Sequence, residues 1–173
     1  MRILIVEDSP NDRELLLELL QDHFMTQAKF RMATSLKEAF EYLARRRQSL
    51  TSIPPSMATG VPPEPALEST LQTPIDEPYF DCVILDLHLP DSTGRDTFRT
   101  IHAKYPELPI VVVSHNKDQR LALDLIKEGA QDFILKDYTN PAEVFRRVLF
   151  AVQRKRISSL PQGMSVLPPK GDS

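Results

Sequence analysis

The chain has 173 residues, of which 41% are hydrophobic and 26% charged, and its net charge is -3. That length supports one domain with a full core and is too short for two ordinary ones, while the mildly acidic balance gives no global attraction to nucleic acid or an anionic membrane. The single cysteine, Cys82, excludes an intramolecular disulfide; beside Val83 in an apolar run it reads as a buried, inert thiol.

Met1-Arg2 leads straight into a short apolar run, with no signal-peptide h-region, and nowhere does an apolar stretch approach a membrane span. A cytoplasmic protein without membrane association is expected. Ile3-Leu4-Ile5-Val6 is an aliphatic run of the kind found in strands covered on both faces, and it ends in Glu7-Asp8. Ser9 as N-cap and Pro10 at the first helical position open a helix over about 10–24, with Leu15, Leu16, Leu19, Leu20 and Phe24 as its buried stripe. Residues 28–33 read as a second strand. Ser35 and Glu38 form a capping box for a second helix, with Leu36, Ala39, Phe40 and Leu43 on one face; it fades at Arg45-Arg46-Arg47, where positive charge complements the helix dipole.

From about 49 to 78 the composition changes. Prolines at 54, 55, 62, 63, 65, 74 and 78 alternate with Ser, Thr and Gly, which predicts a flexible or polyproline-like insertion between the second helix and the third strand. A turn or two of helix over 64–71 and a PxxP pattern over 62–65 are the local features within it. Because it leads into the start of a strand, the insertion is expected on the face opposite the strand ends.

The third strand, about 81–86, delivers Asp86 and breaks at once into Pro90-Asp91-Ser92-Thr93-Gly94, the turn before a helix over about 94–104. A fourth strand, 109–114, ends in the hydroxyl of Ser114. A helix over 118–128 follows, closed by Gly129 at C′. The short fifth strand, 133–135, ends at Lys136, and Asn140, Pro141 and Glu143 open the last helix, with Val144, Phe145, Val148, Leu149 and Val152 as its apolar face. The tail over 157–173 lacks any core-forming pattern and is expected to be disordered, leaving one domain over 1–156.

Five strand–helix pairs mean an α/β fold, a doubly wound, flavodoxin-like parallel sheet with helices on both faces. Such folds bind ligands outside the carboxyl ends of their strands, which is where Glu7, Asp8, Asp86, Ser114 and Lys136 fall. Three converging carboxylates repel one another and call for a cation, and oxygen ligands with this charge favour Mg²⁺. A hard cation beside a lysine and a small hydroxyl is a setting that neutralises a phosphoryl group, with Asp86 as the natural nucleophile. Each residue alone has an ordinary surface explanation; five at one rim do not.

Four segments, ILIVEDS, ILDLHLPDSTG, VVVSHNKD and GAQDFILK, together resemble the receiver domain of two-component response regulators, over residues 2 to about 154 with the insertion removed. The resemblance implies strand order 2-1-3-4-5 and a phosphoryl group accepted on Asp86 from a histidine kinase or phosphotransfer protein. It makes Glu7, Asp8, Asp86 and the backbone carbonyl of His88 the Mg²⁺ site, with Asp8 a direct ligand and Glu7 acting through water. Ser114 and Lys136 become the phosphate-contacting pair. Phosphorylation would draw Ser114 inward and let Phe133 rotate, altering the face made by the fourth helix, fifth strand and fifth helix.

Two positions depart from the family pattern. Asp137 stands where many receivers have a proline in a cis bond, and Phe133 replaces the commoner tyrosine, so no hydroxyl anchors either rotamer. With only a short tail after the last helix, a stand-alone receiver acting through a downstream protein partner is expected, and homodimers are compatible with it. Arg146, Arg147, Arg154, Lys155 and Arg156 read as a solvated helix end, not a direct nucleic-acid contact. The alternative is a non-phosphorylated receiver-like adaptor acting through the insertion or the same face. A haloacid-dehalogenase-like phosphatase wants an acid at position 88, where histidine stands, and an FMN carrier would not place Glu7, Asp8 and Asp12 in its phosphate loop. His88 and His115 flank the site and read as solvated bystanders.

Overall fold

The computed structural model describes residues 1–24, 28–51, 80–137 and 140–158. In chain order they form β1 (Arg2–Val6), α1 (Pro10–Phe24), β2 (Lys29–Ala33), α2 (Leu36–Thr51), β3 (Cys82–Asp86), β4 (His88–Leu89), β5 (Ser92–Thr93), α3 (Arg95–Lys104), β6 (Ile110–Ser114), α4 (Gln119–Lys127), β7 (Asp132–Leu135) and α5 (Pro141–Ser158). The main sheet is parallel, in the order β2-β1-β3-β6-β7. Set aside the two-residue strands β4 and β5, which pair only with each other, and this is the expected 2-1-3-4-5 order of a doubly wound sheet.

The aliphatic runs are buried on both faces, as a parallel sheet between two helical layers requires. Leu4 and Val6 of β1 pack with Leu36, Ala39, Phe98, Ile101 and Leu125, so α2, α3 and α4 cover one face. Ile3 and Ile5 point the other way, onto Leu16 and Leu20 of α1 and Val144, Val148 and Val152 of α5. The α1 stripe is narrower than its sequence suggests: Leu16 and Leu20 are fully buried, whereas Leu15 is 43% exposed. One residue is a rotation of about 100° on a helix of 3.6 residues per turn, which carries Leu15 off the face that Leu16 and Leu20 share.

α2 also outlasts its expected end. It continues past Arg47 to Thr51, into the stretch read as insertion, and α5 continues to Ser158. The rest of that stretch, with the 64–71 helix and the 62–65 PxxP pattern, lies outside the described residues, as does the tail beyond 158.

The start of α2 is capped differently from its sequence signature. Ser35 Oγ accepts from the Glu38 N–H at 3.2 Å, but the Glu38 carboxylate accepts from the Thr34 N–H instead of the Ser35 N–H. The free N–H groups of Leu36 and Lys37 each donate at 2.8 Å to the carboxylate of Asp91, which sits in the turn of the β4–β5 hairpin. That turn, just beyond Asp86, is thereby fastened to α2. Gly129 has φ +112°, and a Cβ there would come within 2.7 Å of the His102 ring, so glycine is required both by its backbone and by its neighbour.

Candidate functional site

Parallel strands all end on one edge of the sheet, and here the ends are level. Val6 pairs with Leu85, Asp86 with Val113 and Ser114 with Leu135. The residues at or just past those ends are Glu7, Asp8, Asp86, Ser114 and Lys136, at the point where the chain reverses its direction of winding between β1 and β3.

Lys136 is the hub. Its Nζ lies 2.8 Å from Asp86 Oδ2, 2.6 Å from Glu7 Oε2 and 3.1 Å from Asp12 Oδ2, and its side chain is 1% exposed. Glu7 and Ser114 are fully buried and Asp86 nearly so, while Asp8 is exposed at the mouth. Oxygen atoms of Glu7, Asp8 and Asp86 all lie within 4.8 Å of one another. The Glu7–Lys136 contact pairs opposite charges, but Glu7 Oε2 has no partner in hydrogen-bonding geometry, a buried acceptor left over for something else.

The charges respond to this crowding. Burial pushes the Glu7 carboxyl up to about 7; the Lys136 ammonium 2.6 Å away works against that rise and the neighbouring Asp86 charge adds to it. Burial acts on Lys136 in the opposite sense, yet the carboxylates of Asp86 and Glu7 outweigh it and hold the ammonium above its ordinary range. For Asp12, burial is outweighed by His115 and Lys136, which bring its carboxyl below the usual value. Cys82, wholly buried in β3, has its thiol pushed up to about 12 by burial and takes no part.

Ser114 Oγ accepts from the Asn116 N–H at 3.1 Å, and the Ser114 carbonyl accepts from the Lys136 N–H, so the ends of β6 and β7 hold each other in register. His88 projects its ring to solvent, but its N–H donates to Asp86 Oδ1 at 3.2 Å, fixing the second oxygen of that carboxylate. Phe133 stands apart from the acids. It packs against the core layer of α2, α3 and α4 and lines a cavity of about 350 Å³ bounded by the start of α4, β7 and the start of α5. His115, solvated as expected, has its Nε2 2.9 Å from Asp12 Oδ2. Asp12 entered the sequence reading only as a third acid beside Glu7 and Asp8, with no role assigned to it. Its signal was position, one turn along α1 from the acid pair.

Chemically, the site offers one carboxylate held by a lysine, two more acids within ligand distance, a buried hydroxyl and an unsatisfied oxygen. These are hard oxygen donors, and they fit a small hard cation better than a soft one.

Comparisons with known proteins point to one family. The model of the response regulator receiver domain matches residues 66–148. The two-component response regulator ORR2 of Oryza sativa subsp. indica is 34% identical over 149 residues, covering 79% of this chain and 54% of that protein. Residues 66–148 are thus similar to a response regulator receiver domain. The regulatory protein LuxO of Vibrio vulnificus is 36% identical over 56 residues, 32% of this chain and 12% of that protein. The chain thus spans about half or less of the length of these curated relatives. Among solved structures, the signal receiver domain of a putative LuxO repressor from Vibrio parahaemolyticus superposes with a TM-score of 0.64 at 20% identity, covering 94% of this chain and 97% of that one. The CheY-like receiver domain protein from Methanospirillum hungatei JF-1 gives 0.61 at 15%, covering 91% and 97%. At such identities the likeness is one of fold, the CheY-like, flavodoxin-like arrangement. The matched segment of the receiver domain includes Asp86, Ser114, Phe133 and Lys136, while Glu7, Asp8 and Asp12 lie ahead of it. Among the described residues no helix is long and apolar enough to cross a membrane.

Proposed function

We propose that this receiver domain works in a phosphorelay, taking a phosphoryl group onto Asp86 from the phosphohistidine of a histidine kinase or phosphotransfer protein. The observation that carries the reading is the 2.8 Å contact between Lys136 Nζ and Asp86 Oδ2 inside a buried cluster that also holds Glu7. A carboxylate placed there for stability alone would cost more desolvation than it returns. In the reaction an Asp86 oxygen attacks phosphorus, the phosphorus–nitrogen bond to the donor imidazole breaks, and the leaving nitrogen keeps the electron pair and takes up a proton. Lys136 then faces the new phosphoryl oxygens, and the Ser114 hydroxyl becomes their hydrogen-bond donor.

Glu7, Asp8, Asp86 and the backbone carbonyl of His88 would hold Mg²⁺, which supplies charge neutralisation for the transferring phosphoryl group. The orphaned Glu7 Oε2 and the three clustered carboxylates support that assignment. Phe133 is the switch residue, moving in response to Ser114 and changing the surface of α4, β7 and α5. Leu123 and Ile126 of α4, 60% and 42% exposed, give that surface an apolar character suited to a downstream protein partner or a second copy. The chain acts in the cytoplasm.

Incubation with acetyl phosphate and Mg²⁺, followed by intact-mass measurement, tests this. Wild-type protein should gain one phosphoryl group and Asp86→Asn none. No gain on the wild type, or an equal gain on Asp86→Asn, defeats the reading.

A further inference from the structure

One acid at the site has no part in the chemistry just described. Asp12 lies in the first turn of α1, and its Oδ2 is shared: 3.1 Å from Lys136 Nζ and 2.9 Å from His115 Nε2. A lysine ammonium has three N–H donors on a flexible four-carbon stem, so its direction is set by whichever acceptors hold it. The Glu7 contact is a charge pairing outside hydrogen-bond geometry. The two hydrogen bonds that aim Lys136 within the cluster therefore go to Asp86 and Asp12. Phosphorylation converts Asp86 from a carboxylate into a mixed anhydride and moves the negative charge outward onto the phosphoryl oxygens. Of these two hydrogen-bonding anchors, Asp12 is the one that the reaction leaves chemically unchanged.

Asp12 is in turn held from outside. His115 follows Ser114 at the end of β6 and reaches across the rim to α1, so one carboxylate oxygen links α1, the β6–α4 connection and the residue after β7. The partners are unlike in burial. The Lys136 side chain is 1% exposed, that of Asp12 21% and that of His115 67%, which grades from the buried charge to the solvent.

We infer that Asp12, held by His115, is a positioning residue that keeps the Lys136 ammonium aimed at the phosphoryl group on Asp86. This rests on the phosphorylation reading above. The inference also has a sign. An acid acting only through its charge would repel an anionic phosphodonor, so its removal would speed the reaction; an acid acting by aim slows the reaction when removed.

The test uses the full chain with Mg²⁺ and acetyl phosphate, following the rate of mass gain in wild type, Asp12→Ala, Asp12→Asn and His115→Ala, each checked for an intact melting transition. Asp12→Ala should slow phosphorylation about tenfold at saturating donor, with Mg²⁺ affinity unchanged, since misaimed groups lose rate and not metal. Asp12→Asn, whose amide oxygen still accepts from Lys136, should recover most of the rate, and His115→Ala should fall between. An Asp12→Ala protein as fast as wild type or faster, or an Asp12→Asn protein as slow as Asp12→Ala, overturns the inference. A second readout needs no phosphorylation. The Lys136 ¹⁵Nζ ammonium resonance should be observable in wild type and Asp12→Asn and broadened by exchange in Asp12→Ala; an unchanged resonance in Asp12→Ala overturns the inference by itself. If wild-type protein takes no phosphoryl group, the phosphorylation reading fails, and the resonance still decides whether Asp12 holds Lys136.

Discussion

Carboxylates face cations at several places on this molecule, and two of them make a contrast. At the rim, Glu7, Asp12 and Asp86 surround Lys136; on the outer face, Arg95 and Arg99 of α3 meet Asp124 and Glu128 at α4. The chemistry is alike, but the Lys136 side chain is 1% exposed and that of Arg99 52%. Water screens the outer pairs, and exposed ion pairs of this kind add little stability. Around Lys136, Glu7 and Asp86 water is excluded, the charges shift one another's protonation, and removal of one partner strands the rest. What separates the two clusters is where the charge is buried, not how much of it there is.

The strongest way to break that contrast is Lys136→Ala. In Mg²⁺-free buffer it should cost about 3 kcal/mol of unfolding free energy by denaturant titration, because it leaves uncompensated buried carboxylates, and added Mg²⁺ should return part of the loss. A loss no larger than that of a surface pair would make the two clusters equivalent.

Next comes the pH profile of the metal-free wild type. Glu7 is raised from 4.5 to about 7, so the folded state favours its protonated form. Its contribution is fully present below pH 4.5 and is lost as pH rises through about 7. The melting temperature without metal should therefore fall between about pH 5 and 7 more steeply in wild type than in Glu7→Gln.

Asp91→Ala is smaller. It frees the Leu36 and Lys37 N–H groups and should cost about 1 kcal/mol, as loss of a helix cap usually does. Burial works against the ionised form, but those two N–H groups outweigh it and hold the Asp91 carboxyl below its usual range. The stabilisation is thus present above the unfolded value near 3.8 and lost as pH falls through the depressed folded value, so the variant and wild type should converge in acid. The smallest effect belongs to Arg99→Ala, whose melting temperature should shift less than that of Asp91→Ala and lose even that difference in high salt.

Much of the site could be read in advance because a parallel sheet does the assembling. Once the apolar runs were strands, Glu7, Asp86, Ser114 and Lys136 had to share an edge, however far apart in sequence. The residues whose roles stayed open in the sequence lack such a rule. Asp12 has an ordinary local explanation as an acid near a helix N-terminus, and its partners lie 103 and 124 residues away. Asp91 looks like a turn residue, and only folding brings it to the start of α2, more than fifty residues earlier. The β4–β5 hairpin has two-residue strands, too short to show a period. Arg45-Arg46-Arg47 carried the charge of a helix end, but arginine is also a good helix former, and α2 runs on to Thr51.

Locating the phosphoryl group itself tests the central claim most directly. Protein treated with acetyl phosphate and Mg²⁺ is reduced with borohydride, which converts an aspartyl phosphate to homoserine, and is then digested and sequenced by mass spectrometry. The account predicts conversion at Asp86, confined to that position and dependent on the phosphodonor. Conversion at another acid, or none in protein that has gained phosphoryl mass, would contradict it.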